Sequence, residues 1–122
     1  MKNYSWLQKL AAAAVLMHLT MAHAADDRLA LAGVADGKIA FDIKEGEGKA
    51  LLSRLDSIDE TRQSLIQQGV KPHFILAFRG PATRLVQTDQ DKIKPEDREL
   101  AAKVAARIKE MSTASGVDGF EQ

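Results

Sequence analysis

Three polar residues that could bind an anion follow an apolar stretch of the chain. Arg79, Thr83 and Arg84 come after residues 73–78, which predict a fully buried strand. Open α/β sheets bind ligands outside the carboxyl ends of their strands, and a guanidinium there can hold an oxyanion in a bidentate manner. We therefore expect Arg79 to bind an anion with help from Thr83 and Arg84. The alternative is a structural role, in which Arg79 pairs with Asp42 or bridges subunits.

Asp42 is the second candidate for chemistry, because it lies in the otherwise apolar stretch at residues 39–43. A buried carboxylate needs a charged or hydrogen-bonding partner. Asp42 is therefore either an acid–base group or one half of a structural ion pair, and the sequence leaves both interpretations open.

The residue types exclude several other kinds of site. The chain has no cysteine, so the residues given carry no thiol chemistry and no thiolate metal site. His73 is the one histidine after residue 24, and a single histidine without clustered partners predicts no metal site. The loop at residues 46–50 departs from a phosphate-binding loop, since Ala50 follows Lys49 where Ser or Thr is required. We predict no cofactor, and the sequence leaves open whether the protein is an enzyme.

The first 24 residues have the pattern of a secretory signal peptide. Lys2 and Lys9 precede an apolar run at residues 10–21, and residues 22–24 read Ala-His-Ala, a typical cleavage site. The run is shorter than the roughly 20 residues that span a bilayer. We expect cleavage after Ala24, no membrane span thereafter, and a periplasmic domain over residues 25–122.

The charge balance argues against a nucleic-acid partner. The chain has 17 basic and 17 acidic residues, and loss of Lys2 and Lys9 leaves a net charge of about −2. Proteins that bind nucleic acids usually present a basic surface. We therefore expect no nucleic acid among the partners.

Hydrophobic periodicity predicts an α/β fold with a small parallel sheet and flanking helices. Strands are expected at residues 38–43, 73–78 and 117–122, with helices at residues 48–68 and from Pro95 to about residue 114. A short helical turn is expected within residues 80–88, and the charged faces of both helices are expected to be solvated. Parallel sheets are normally covered on both faces. We expect either another chain or a continuation of this one to complete the sheet.

Four segments resemble the DsrE/DsrF-like family, and in particular its small exported members. They read FDIKEG at residues 41–46, GVKP at 69–72, AFRGPATR at 77–84 and IKPED at 93–97. The resemblance implies a compact α/β fold with a central parallel sheet and assembly into homo-oligomers, often trimers or hexamers. It also implies sulfur chemistry on a cysteine that commonly follows a strand of the Phe-Glu-Gln type.

These observations lead to two expectations for function. The first is a periplasmic, homo-oligomeric binding or accessory module without thiol chemistry of its own, in which the anion site takes a small oxyanion or sulfur species. The second is a cysteine-dependent sulfur-relay protein of sulfur metabolism, whose chain would continue past Gln122, the last residue of the sequence.

Overall fold

The computed structural model describes residues 29–122. The predicted signal peptide and its cleavage site lie outside these residues. The chain divides after Ala32, and the unit from Gly33 to Gln122 contains every strand and helix discussed below. Within residues 29–122, no helix combines the length and the apolar character needed to cross a membrane.

The elements alternate between strands and helices, as the sequence predicts. In chain order they are β1 (Asp36–Ile43), α1 (Gly48–Gln67), β2 (Lys71–Phe78), 3-10 segments at Gly80–Leu85, Gln90–Lys92 and Pro95–Asp97, α2 (Arg98–Ser112) and β3 (Val117–Glu121). The predicted helical turn after β2 is confirmed. Pro95 begins a 3-10 turn that leads directly into α2, so the regular helix is shorter at both ends than predicted.

The sheet has three parallel strands in the order β1-β2-β3, with β2 in the centre. Ile39 pairs with Phe74 and Ile43 with Phe78, so the carboxyl ends of β1 and β2 are level. The pairing of β2 with β3 contains an irregularity at Phe74 and Ile75. The predicted α/β fold with a small parallel sheet and flanking helices is confirmed.

Local signals explain why α1 begins and ends where it does. The Glu47 carboxylate accepts hydrogen bonds from the backbone N–H groups of Lys49 (3.1 Å) and Ala50 (2.9 Å), which have no partner within the helix. After the last turn, Gly69 adopts a φ of 78°, the left-handed conformation that glycine allows at little cost.

Both helices pack on the same face of the sheet. Leu51, Leu55 and Ile58 of α1 and Val104 and Met111 of α2 are buried in one cluster. The sheet contributes the side chains that point to this side, namely Ile43, Phe74, Leu76 and Phe78. Two right-handed crossovers that add strands in the same direction place their helices on one side of a sheet. The other face therefore has no helix within the described unit.

One prediction about β2 is consequently wrong. The sequence predicts a strand buried on both faces, but its side chains alternate between buried and exposed positions. Phe74, Leu76 and Phe78 are buried, whereas Ile75 keeps 38% of its surface exposed. An apolar residue on each side of a strand does not reveal which face is covered, because that depends on where the helices pack.

The prediction that the charged helix faces are solvated is also wrong in part. Asp59 is buried at the contact between α1 and α2. Its carboxylate accepts hydrogen bonds from Arg62 Nε (2.8 Å), Gln63 Nε2 (2.8 Å) and Arg107 Nη2 (3.3 Å). These polar side chains join the two helices above the apolar core.

Candidate functional site

The candidate site lies at the carboxyl ends of β1 and β2. The two strands end side by side, and the backbone N–H of Arg79 donates to the Ile43 carbonyl at 2.9 Å. The loop after β1 and the 3-10 segment after β2 therefore start from neighbouring points. This is the edge at which the sequence predicts Arg79, Thr83, Arg84 and Asp42 to meet.

Arg79 makes a bidentate ion pair with Asp42. Arg79 Nε donates to Asp42 Oδ1 at 2.8 Å, and Nη2 lies 2.8 Å from Oδ2. Lys44 Nζ adds a third contact to Oδ2 at 3.0 Å. The predicted alternative, in which Arg79 pairs with Asp42, is therefore confirmed.

The electrostatics of this pair favour its charged form. Hydrogen bonds from Arg79 and then Lys44 hold the pKa of Asp42 well below its usual range. The same hydrogen bond raises the pKa of Arg79. A carboxylate held ionised in this way is a poor general acid or base near neutral pH. Asp42 is thus one half of an ion pair with Arg79, at a position where its side chain is 41% exposed.

Thr83 stabilises the turn that follows β2. Its hydroxyl donates to the Gly80 carbonyl at 2.7 Å, within the 3-10 segment. The hydroxyl is thereby used for a local hydrogen bond three residues back along the chain.

Arg84 lines a pocket with a volume of about 310 Å³, whose lining includes neither Arg79 nor Asp42. We call it the basic pocket; its lining residues are Gly46, Arg84, Leu85, Lys92, Lys94 and Asp97. Three cationic side chains and one carboxylate give this pocket an excess positive charge. Within residues 29–122, none of the three cations forms a salt bridge of 4.0 Å or less.

Each of these cations is next in sequence to a buried residue. Lys92 and Lys94 are exposed on either side of Ile93, which is buried and has an extended backbone (φ −89°, ψ 130°). Arg84 precedes Leu85, which is buried at the end of the 3-10 segment.

Gly46 closes one wall of the basic pocket because it has no side chain. A Cβ at Gly46 would lie 2.5 Å from Pro81 Cβ and 3.5 Å from Arg84 Nη2. The loop after β1 therefore packs directly against the 3-10 segment after β2, which a larger residue would push away.

Sequence reasoning missed Lys92 and Lys94. Both lie between the predicted turn at residues 80–88 and Pro95, and the pattern that could have identified them is the placing of apolar Ile93 between two lysines. Their proximity to Arg84 depends on how the loop folds back over the sheet edge, and no local pattern encodes that.

His73 lies at the opposite, amino end of the sheet. Its Nε2 is 2.9 Å from Asp36 Oδ1 and its Nδ1 is 3.0 Å from Asp118 Oδ2, so it bridges all three strands. The hydrogen bonds that its ring makes to the carboxylates of Asp36 and then Asp118 raise its pKa. Within the described part of the chain, no three His, Cys, Asp or Glu residues are arranged to hold a metal ion.

Comparison with known proteins identifies no relative of this chain: no protein-family model, no curated protein and no solved structure matches it.

Proposed function

We propose that this protein is a periplasmic α/β binding module that holds a small oxyanion in the basic pocket. The observation that carries the proposal is the convergence of Arg84, Lys92 and Lys94 on one concavity at the carboxyl edge of a parallel sheet. Its volume of about 310 Å³ lies at the lower end of ligand pockets, which favours a small ligand.

The chemistry of the lining residues supports the binding of an anion. The pocket presents a guanidinium and two ammonium groups, which bind sulfate-like or phosphate-like groups through charge-assisted hydrogen bonds. Its lining residues include no hydroxyl, thiol or imidazole group that could act as a nucleophile. Asp97 provides a carboxylate that disfavours ligands of high negative charge.

The resemblance to the DsrE/DsrF-like family extends this proposal to the ligand. Because members of that family act on sulfur compounds, sulfate and thiosulfate are the first oxyanions to test. Residues 1–122 contain no cysteine, so the role proposed for them is binding or accessory.

The proposal is tested by measuring the thermal unfolding of the full chain with sulfate, thiosulfate or phosphate, at an ionic strength held constant with sodium chloride. An anion at 100 times its Kd should stabilise the fold by about 2.7 kcal/mol. Arg84→Gln should remove this effect, and Lys94→Gln should weaken it.

Arg79→Gln is the matched control, since it changes a second arginine at the same sheet edge that does not line the basic pocket. This variant should lower the baseline melting temperature yet keep the anion-induced increase. If Arg79→Gln abolishes the increase and Arg84→Gln keeps it, Arg79 is the anion ligand and the basic pocket is not the site. If no oxyanion stabilises the wild-type chain more than chloride does, the proposed function is wrong.

A further inference from the structure

The basic pocket contains one carboxylate among three cations. Asp97 lines it together with Arg84, Lys92 and Lys94. Asp97 is half-buried, whereas the three cations are exposed. A carboxylate at this position weakens the attraction of the cations for any anion, because its own charge repels the ligand. The position of Asp97 therefore affects which anion the basic pocket accepts.

Backbone contacts hold Asp97 beside the cations. The N–H of Asp97 donates to the Lys94 carbonyl at 2.9 Å, within the 3-10 turn at Pro95–Asp97. Arg98 Nε, at the start of α2, donates to the carbonyl of buried Ile93 at 3.2 Å. The segment that carries Lys94 and Asp97 is therefore tied to a residue of the protein interior.

The Asp97 carboxylate is available to a ligand. It does not cap α2, although Asp97 occupies the position that precedes the helix. Within residues 29–122 it forms no salt bridge of 4.0 Å or less, and the guanidinium of the adjacent Arg98 donates to a carbonyl instead. Three groups that donate hydrogen bonds and one that accepts them therefore line the same concavity without pairing with each other.

We propose that Asp97 selects an oxyanion that carries a hydroxyl group, and that the ligand of the basic pocket is inorganic hydrogen phosphate. This inference rests on the proposed function and adds which oxyanion is bound. The guanidinium and ammonium groups donate hydrogen bonds to the ionised oxygens of the anion. Asp97 accepts a hydrogen bond from the P–OH group, and a bond from a hydroxyl to a carboxylate is among the strong ones.

Three anions of equal charge separate the effect of the hydroxyl from that of charge. At pH 8 hydrogen phosphate is a dianion with one P–OH group, and sulfate is a dianion without a hydroxyl. Methyl phosphate is also a dianion without a hydroxyl, because the second pKa of a phosphate monoester is about 6. The cations attract all three in the same way. Beside Asp97, however, sulfate and methyl phosphate place an acceptor against an acceptor, and this unpaired contact disfavours them.

The test is isothermal titration calorimetry of the full chain with each anion, at pH 8 and constant ionic strength. A site that hydrogen-bonds a ligand hydroxyl can reject analogues without it by about 10⁴-fold or more when the contact is buried. Because Asp97 is only half-buried, we expect hydrogen phosphate to bind about tenfold more tightly than sulfate or methyl phosphate. Thiosulfate, which also lacks a hydroxyl, should bind as sulfate does.

Asp97→Asn tests whether this residue causes the preference. The amide keeps the shape of the side chain and can donate to an ionised oxygen, so sulfate should bind more tightly and hydrogen phosphate more weakly. The two Kd values should then agree within about twofold. Asn and Asp are equally favoured before a helix, so the variant should fold as the wild type does.

Glu96→Gln is the matched control. Glu96 precedes Asp97 in the same 3-10 turn and also carries a carboxylate, but it does not line the basic pocket. This variant should keep the wild-type preference for hydrogen phosphate.

Three results would overturn the inference: a wild type that binds sulfate at least as tightly as hydrogen phosphate, one that binds methyl phosphate equally well, or a preference that persists in Asp97→Asn. In each case the proposed function still stands if Arg84→Gln removes the binding. If the wild type binds none of these anions, the proposed function and this inference are both wrong.

Discussion

Replacing Asp59 with alanine tests whether the buried contact between α1 and α2 stabilises the fold. The side chains of Asp59, Arg62 and Arg107 are 11%, 12% and 19% exposed, so water does little to replace a lost partner. Asp59→Ala removes three hydrogen bonds at once and leaves two guanidinium groups near each other without the carboxylate between them.

The remaining contacts determine the size of the effect. Breaking a fully buried ion pair by removing one partner costs about 3–5 kcal/mol. Arg62 still donates to the Ser115 carbonyl, and Arg107 still pairs with Asp56 and Glu110. We therefore expect Asp59→Ala to lower the free energy of unfolding by about 2–3 kcal/mol, within the range for hydrogen bonds to charged groups.

The assay is urea denaturation at pH 7, with Asp56→Ala as the matched control. Asp56 is on the same helix and pairs with the same Arg107 at 2.9 Å, but its side chain is 60% exposed. Its loss should cost less than about 1 kcal/mol, as for surface ion pairs. Equal losses in the two variants, or a loss below about 1 kcal/mol for Asp59→Ala, would refute the reasoning that burial makes the contact strong.

The pH dependence provides a second check on Asp59. Burial raises the pKa of this carboxyl, but hydrogen bonds from Arg62 and Gln63 and the charges of Arg62 and Arg107 outweigh burial, so the pKa is lowered. A lowered pKa contributes stability that is present above the pKa of the unfolded chain and is lost as the pH falls. The stability difference between wild type and Asp59→Ala should therefore shrink in acid; a difference that stays constant down to pH 2 would contradict this.

Two further predictions concern the amino end of the sheet. The two carboxylate partners of His73 raise its pKa, so its contribution to stability is complete below the unfolded pKa of about 6.5 and is lost as the pH rises through the folded value. The urea midpoint of the wild type should therefore fall over this pH range. An equally steep fall in His73→Gln would exclude His73 as the cause. Gly116→Ala should cost about 1–3 kcal/mol, because a Cβ on this residue (φ +90°) would overlap Pro72 Cγ. Gly119→Ala on the same strand region has open space around its Cβ and should be nearly neutral; comparable losses in thermal unfolding would argue against the steric explanation.

The candidate site was only partly predictable. Its location follows from the order of apolar and polar residues along the chain, since a basic segment comes directly after a predicted strand. The roles within it did not follow. Arg79 and Arg84 are both arginines after the same strand, yet one faces Asp42 and the other faces the basic pocket. That difference arises from the 3-10 turn at Gly80–Leu85, because Arg79 precedes the turn and Arg84 lies within it.

The sequence by itself determined the elements, their order and their parallel arrangement, because hydrophobic periodicity, glycine and proline positions and crossover length are local properties of the chain. Only the tertiary structure decided that both helices cover one face, that Ile75 stays exposed and that Asp59 is buried. Those outcomes depend on the direction in which each crossover adds its strand and on which side chains meet across distant segments. A linear pattern specifies that a face is apolar, and the packing of the folded chain specifies what that face contacts.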